Sequence, residues 1–148
     1  MGSNQIAQIG VIAVSVAGMA VAVYLTSVHY ASVPLACSSS GVVNCEQVLH
    51  SRYSEVLGIP WSLGGIAWFA ISGLLAIVGL RQSPEPDALQ PAQVVWALFG
   101  LAVVFYLIGV ELIGVKHICI WCTSMHVLIL TTLVLVLFRR PEPAVEEA

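Results

Sequence analysis

Charge is what this sequence has least of: Asp, Glu, Lys and Arg make up 9% of its 148 residues, while 59% are hydrophobic. With a mean hydropathy of +0.96, the chain is far too apolar for an ordinary soluble domain, where about a quarter of residues are charged. It has no basic block and its formal net charge is −3, which removes nucleic acid from the list of partners. No Lys or Arg precedes the first apolar run, and that run is too long for a cleaved signal peptide, so it is expected to remain as a span. There is no C-x-x-C-H motif, since Thr123 follows Cys122, and covalent c-type haem is excluded.

Long apolar runs are what it has in quantity. A bilayer core of about 30 Å needs roughly 20 apolar residues in a helix, and four stretches meet that need: about 6–28, 59–80, 94–113 and 118–138. The expected fold is therefore all-α, an integral membrane four-helix bundle forming one domain over residues 1–148. The one sizeable polar segment is the loop at 29–58, and the Pro-rich acidic tail at 141–148 is expected to be disordered. The joint RQSPEPDALQPAQ reads as an exposed connector without chemistry. Gly114 to His117 is so short a link that the last two spans must form an antiparallel hairpin. Small residues at Gly64, Gly65, Ser72, Gly73, Ala76 and Gly79 suit close helix packing, and Glu46 to Tyr53 reads as a short interfacial helix with Val48, Leu49 and Arg52 near lipid.

Arg81, Arg139 and Arg140 share one side with the N-terminus, and Arg52 and Lys116 share the other. The Arg139–Arg140 pair directly after a span makes the first side cytoplasmic by the positive-inside rule. Both termini are then cytoplasmic, in the inner or plasma membrane. Cys37, Cys45, Cys119 and Cys122 fall at the external, periplasmic face, where disulfides form and persist.

Cys119 and Cys122 are three residues apart at the start of the fourth span, so both thiols face nearly the same way. Unpaired N–H groups and the positive end of the helix dipole stabilise a thiolate there, and Lys116 and His117 add to the field. The pair reads as a redox centre, against the alternative of two buried apolar cysteines. Cys37 and Cys45 frame SSSGVVN. A disulfide between them would close a small ring, a staple contributing about 2.5 kcal/mol, or equally a mobile shuttle, because two dithiols on one face can exchange through mixed disulfides. His126 lies one turn beyond Cys122 on the same face and suits a hydrogen bond to a quinone carbonyl or a proton transfer, or else is a buried structural histidine. Glu111 is expected to snorkel to the interface, and the four tryptophans read as belt or packing aromatics.

The order Cys37, seven residues, Cys45, Ser51, Gly58-Ile59-Pro60 before a span, and finally Cys119-Ile120-Trp121-Cys122 resembles the vitamin K epoxide reductase family, and most closely its bacterial homologues. The resemblance implies a bundle around a quinone, with the loop as a lid, that oxidises a periplasmic thioredoxin-like or DsbA-like protein and so supports disulfide bond formation. It implies that Cys37 exchanges with the partner, Cys45 attacks Cys119, and Cys122 delivers electrons to the quinone, whether ubiquinone, menaquinone or a vitamin K species. Ser51 matches a loop serine or threonine that helps place the lid cysteines. His126 stands where vertebrate members carry a tyrosine, and no thioredoxin-like domain is fused within these residues, which implies a separate partner.

Other readings make different use of the same residues. DsbB-like oxidases share the logic but carry their two cysteine pairs in the opposite order. A structural zinc site favours two Cys-x-x-Cys knuckles, and only one is present, so no metal is expected. Non-covalent haem between His29 and His126 is conceivable. A non-enzymatic tetraspan with a disulfide-braced loop is the main alternative, and a small transporter would need more polar or broken spans.

Overall fold

Along the first helix, α1 (Ser3–Ala31), the buried positions include Gln8, Val11, Ser15, Gly18, Ala22, Leu25 and Val28. That alternation of three and four residues keeps one stripe on one face. In the computed structural model, which describes residues 2–31, 33–37, 40–82 and 85–139, this stripe packs most extensively on α3 (Trp61–Arg81), whose own stripe runs through Trp68, Phe69, Ser72, Gly73, Ala76 and Gly79. Lipid offers no hydrophobic gain for helix association, so close approach of small residues has to supply it. Gly18 shows how close: a Cβ there would lie 2.3 Å from Cζ of Phe69, a side chain that is itself fully enclosed.

The remaining long helices are α4 (Leu89–Gly109), continued by a π-helical turn at Val110–Val115, and α5 (Ile120–Phe138). α1 neighbours α3 and α5, and α4 neighbours the same two, which closes a ring of four. All four are long and apolar enough to cross a membrane, and outward-facing side chains such as Val16, Val23, Leu74, Phe105 and Val134 are exposed, as a lipid-facing surface should be. The protein is an all-α membrane bundle with a small lid, as the hydropathy pattern predicts.

The differences from expectation lie at the ends. α1 is longer at both ends than 6–28, and α4 starts at Leu89 rather than near residue 94, with Pro91 tolerated in its first turn, where N–H groups have no intrahelical partner. Ile59–Pro60 is not helical. It pairs with Glu55–Val56 as a two-stranded antiparallel hairpin, β1 and β2, turned by Leu57 and Gly58 at positive φ. The lid helix α2 is shorter than Glu46 to Tyr53, running Cys45–Leu49. Val48 and Leu49 point into the bundle, each 8% exposed, rather than toward lipid. The tail at 141–148 lies outside the described residues.

The connector between α3 and α4 has more chemistry than its composition suggests. Glu85 forms a buried ion pair with Arg139, while Asn4 donates to the second oxygen of Glu85 at 2.9 Å and accepts from Arg139 at 3.1 Å. The three residues clasp the start of α1, the connector and the end of α5 together, at the end of the bundle opposite the cysteines.

Candidate functional site

The cysteine end is built by backbone pairing between the lid and the start of α5. Val43 forms a parallel bridge with Ile118; the N–H of Asn44 donates to the Ile118 carbonyl at 3.1 Å, and the N–H of Ile118 donates to the Val42 carbonyl at 2.9 Å. Cys45 follows Asn44 and Cys119 follows Ile118, so this short ladder brings the two cysteine-bearing segments together. Asn44 also caps α2, its side-chain oxygen accepting from the Gln47 N–H at 3.1 Å. All four cysteines belong to one apolar cluster.

Cys37 and Cys45 are joined as a disulfide, whereas Cys119 and Cys122 are free thiols. Cys45 is buried at 1% exposure and Cys37 is half-buried, so Cys37 offers the more accessible sulfur. The segment that carries Cys37 is pinned at Ala36, whose N–H donates to the Tyr24 hydroxyl at 3.1 Å and whose carbonyl accepts from the Trp121 indole N–H at 3.1 Å. Tyr24 and Trp121 also pack ring to ring at 4.9 Å. Trp121, inside the Cys-x-x-Cys motif, is thus a packing aromatic that also fastens the lid.

Cys119 is the N-cap of α5, its sulfur accepting from the Cys122 N–H at 3.4 Å. The Cys122 thiol donating to the same sulfur does most to bring the Cys119 thiol below its ordinary pKa of 9.0. Burial and the charge of Glu111 oppose the shift, and the N–H groups of Cys122 and Trp121 assist it. Of the expected field at the helix mouth, only the backbone N–H groups contribute to the shift at Cys119, and the neighbouring thiol outweighs them. His117 turns away, with its ring Nδ1 3.0 Å from the Val115 carbonyl.

Cys122 faces a partly open cavity of about 220 Å³ lined by all four long helices and the lid. The walls are mainly apolar: Leu25, Val48, Leu49, Trp68, Phe99, Val103, Leu107 and Ile129 all contribute. Gly100 makes room for Trp68, since a Cβ there would fall 2.7 Å from the indole ring. Polar groups are few. His126 is 5% exposed and its imidazole makes no hydrogen bond among the described residues. Trp61 brings a buried indole N–H without a partner. Ser51 lines the wall, donating to the Val48 carbonyl at 2.9 Å and, through its own carbonyl, accepting from the Ser54 hydroxyl at 2.7 Å. His29 also reaches the cavity but is held by Glu55 at 2.9 Å.

A family model described as the Vitamin K epoxide reductase family matches residues 9–137. The chain belongs to the vitamin K epoxide reductase family. Membership makes it a membrane thiol-disulfide oxidoreductase, and four spans with one formed disulfide accord with that activity. Every residue singled out in the sequence for chemistry lies at this end of the bundle: the four cysteines in one cluster, and Ser51, Cys122 and His126 on the cavity wall. Among the described residues no three His, Cys, Asp or Glu side chains gather as a metal-binding group.

Two residues of the cavity wall were missed. Trp61 looks like a span-end aromatic until its N–H is found buried. Glu111, expected to snorkel, is 6% exposed and lines the cavity. It shares a four-residue spacing with the cavity residues Phe99, Val103 and Leu107, and that stripe was the signal that would have placed it inward.

Proposed function

We propose that this protein passes two electrons from a reduced, thioredoxin-like or DsbA-like protein outside the membrane to a membrane quinone, and so sustains disulfide formation. The observation that carries the reading is the position of Cys122: the free thiol of a Cys-x-x-Cys pair opens onto a partly open apolar cavity while its partner, Cys119, follows the residue that bridges to the lid segment before Cys45. A dithiol so situated has water-borne thiols on one side and a lipid-borne oxidant on the other.

The cavity suits a quinone ring. Its volume is below the range of about 300–1,000 Å³ for drug-sized ligands, enough for a head group whose isoprenoid tail lies outside. Trp61 supplies an unpartnered buried donor and His126 an uncommitted imidazole for the two ring oxygens. A quinone supplies one thing there, an acceptor for two electrons and two protons.

The residues carry out the rest. A partner thiolate attacks Cys37, the accessible sulfur, and Cys45 leaves; the partner's second thiol then resolves the mixed disulfide and departs oxidised. Reduced Cys45 attacks Cys119 of an oxidised Cys119–Cys122 pair, releasing Cys122 as thiolate. Cys37 then attacks Cys45, which restores the outer disulfide and leaves Cys119 reduced. The pairing seen here, outer disulfide and inner dithiol, is the state in which electrons have reached the cavity. Ser51 positions the lid by bonding the end of α2, the helix that begins at Cys45. Both termini are cytoplasmic and the cysteines external, following the basic residues of the Arg81 and Arg139 end.

Purified protein given a reduced thioredoxin-like donor under anaerobic conditions is expected to reduce ubiquinone or menaquinone catalytically, and Cys122→Ser to reduce neither. A wild type that reduces no quinone of several tried, with its thiols intact, would favour the braced, non-enzymatic tetraspan.

A further inference from the structure

We infer that Glu111 is the proton acceptor for the Cys122 thiol during oxidation of the inner dithiol. The inference rests on the quinone-linked reading above, but one arm of its test does not.

Glu111 is a carboxylate in a membrane span, 6% exposed, and among the described residues no Lys, Arg or His forms an ion pair with it. A buried acidic group without a cation is costly, and within a span such a residue marks function by default. Its surroundings say which function. It lines the same cavity as Cys122 and His126, and it lies close enough to the start of α5 for the Cys119 N–H and both thiols to feel its charge. It sits in the π-helical turn that ends α4, and single π turns inside α-helices recur at functional sites. The turn is closed by Lys116 in the left-handed conformation, with the N–H groups of Lys116 and His117 both donating to the Glu111 carbonyl. The backbone of Glu111 is fixed while its side chain serves the cavity.

Conversion of Cys119 and Cys122 to a disulfide releases two electrons and two protons. The Cys119 sulfur caps α5 and accepts from the Cys122 N–H at 3.4 Å, a setting that favours its thiolate, so the proton on Cys122 is the last that must leave. Glu111 takes it as the sulfur–sulfur bond forms, and the electron pair goes to the quinone. The same carboxylic acid returns the proton to one ring oxygen, and the second, lost from Cys119 to water when its thiolate formed, is made good from water by way of His126. The titratable groups facing Glu111 are Cys119, Cys122 and His126 from α5, His29 from α1 and Tyr53 from the lid. α3 contributes none to this wall.

The two roles open to a buried carboxylate here predict opposite signs. A spectator negative charge resists thiolate formation, so Glu111→Gln would speed alkylation of Cys122 by a small membrane-permeant maleimide. A proton acceptor assists it, so Glu111→Gln slows alkylation about tenfold or more, flattens its pH profile, and Glu111→Asp restores part of both. In anaerobic quinone reduction the same Gln variant is expected to be slower by about 100-fold or more, with reduction of the outer disulfide by the donor unchanged. Equal or faster alkylation in Glu111→Gln, with the wild-type pH profile, would overturn the inference. If the wild type reduces no quinone, the quinone reading falls, and the alkylation arm still decides the role of Glu111.

Discussion

The two hydrogen bonds on Ala36 set how often the lid opens. Trp121→Phe removes the indole N–H that donates to the Ala36 carbonyl but keeps a ring to pack on Tyr24, and Tyr24→Phe removes the hydroxyl that accepts from the Ala36 N–H. A neutral hydrogen bond contributes about 0.5–1.5 kcal/mol net, which corresponds to an increase of about 2- to 13-fold in the open population per substitution. Cys119 has 0% exposure with the lid closed, so its alkylation by a small reagent reports that population once divided by the rate in unfolded protein. Both single variants are expected to raise the corrected rate by such a factor. The double variant should depart from their product, because the bonds share one peptide segment. Unchanged rates in both singles would refute the idea that Ala36 is where the lid is held.

The Cys119 thiol is lowered below 9.0 chiefly by the thiol of Cys122, so Cys122→Ala is expected to move its ionisation upward. At a pH below 9.0 the variant then holds less thiolate and alkylates more slowly, and the gap closes as pH rises, as a pH series of alkylation rates would reveal. At the other end of the bundle, Arg139→Leu leaves Glu85 buried without its cation and is expected to cost about 3–5 kcal/mol. Joint replacement of Glu85 and Arg139 by leucine should cost distinctly less, and equal losses in detergent unfolding curves would remove the ion pair as the cause.

Much of the fold was legible because each span is long and apolar enough to cross a bilayer and is bounded by polar or Pro-containing segments. The small residues of α3 read directly as packing residues, although Gly64 proves exposed on the cavity side with nothing near its missing Cβ. The cysteines were legible from their order and spacing. What escaped depends on contacts far apart in sequence. Val48 and Leu49 look interfacial on a short amphipathic segment, and only the Val43–Ile118 bridge turns them inward. Glu85 sits in a connector whose composition says solvent, yet its partner lies 54 residues away. Glu111 was judged by its nearness to a span end, whereas its helical phase with Leu107 governs where it points.

The most direct test is a single turnover. Protein prepared with the Cys37–Cys45 disulfide intact and Cys119 and Cys122 reduced, the state seen here, is mixed anaerobically with one equivalent of quinone and no donor. The account predicts quinol in a one-to-one ratio with loss of both inner thiols and an unchanged outer disulfide. Quinol formation with Cys122 still free, or inner thiols that persist in the presence of quinone, would contradict it.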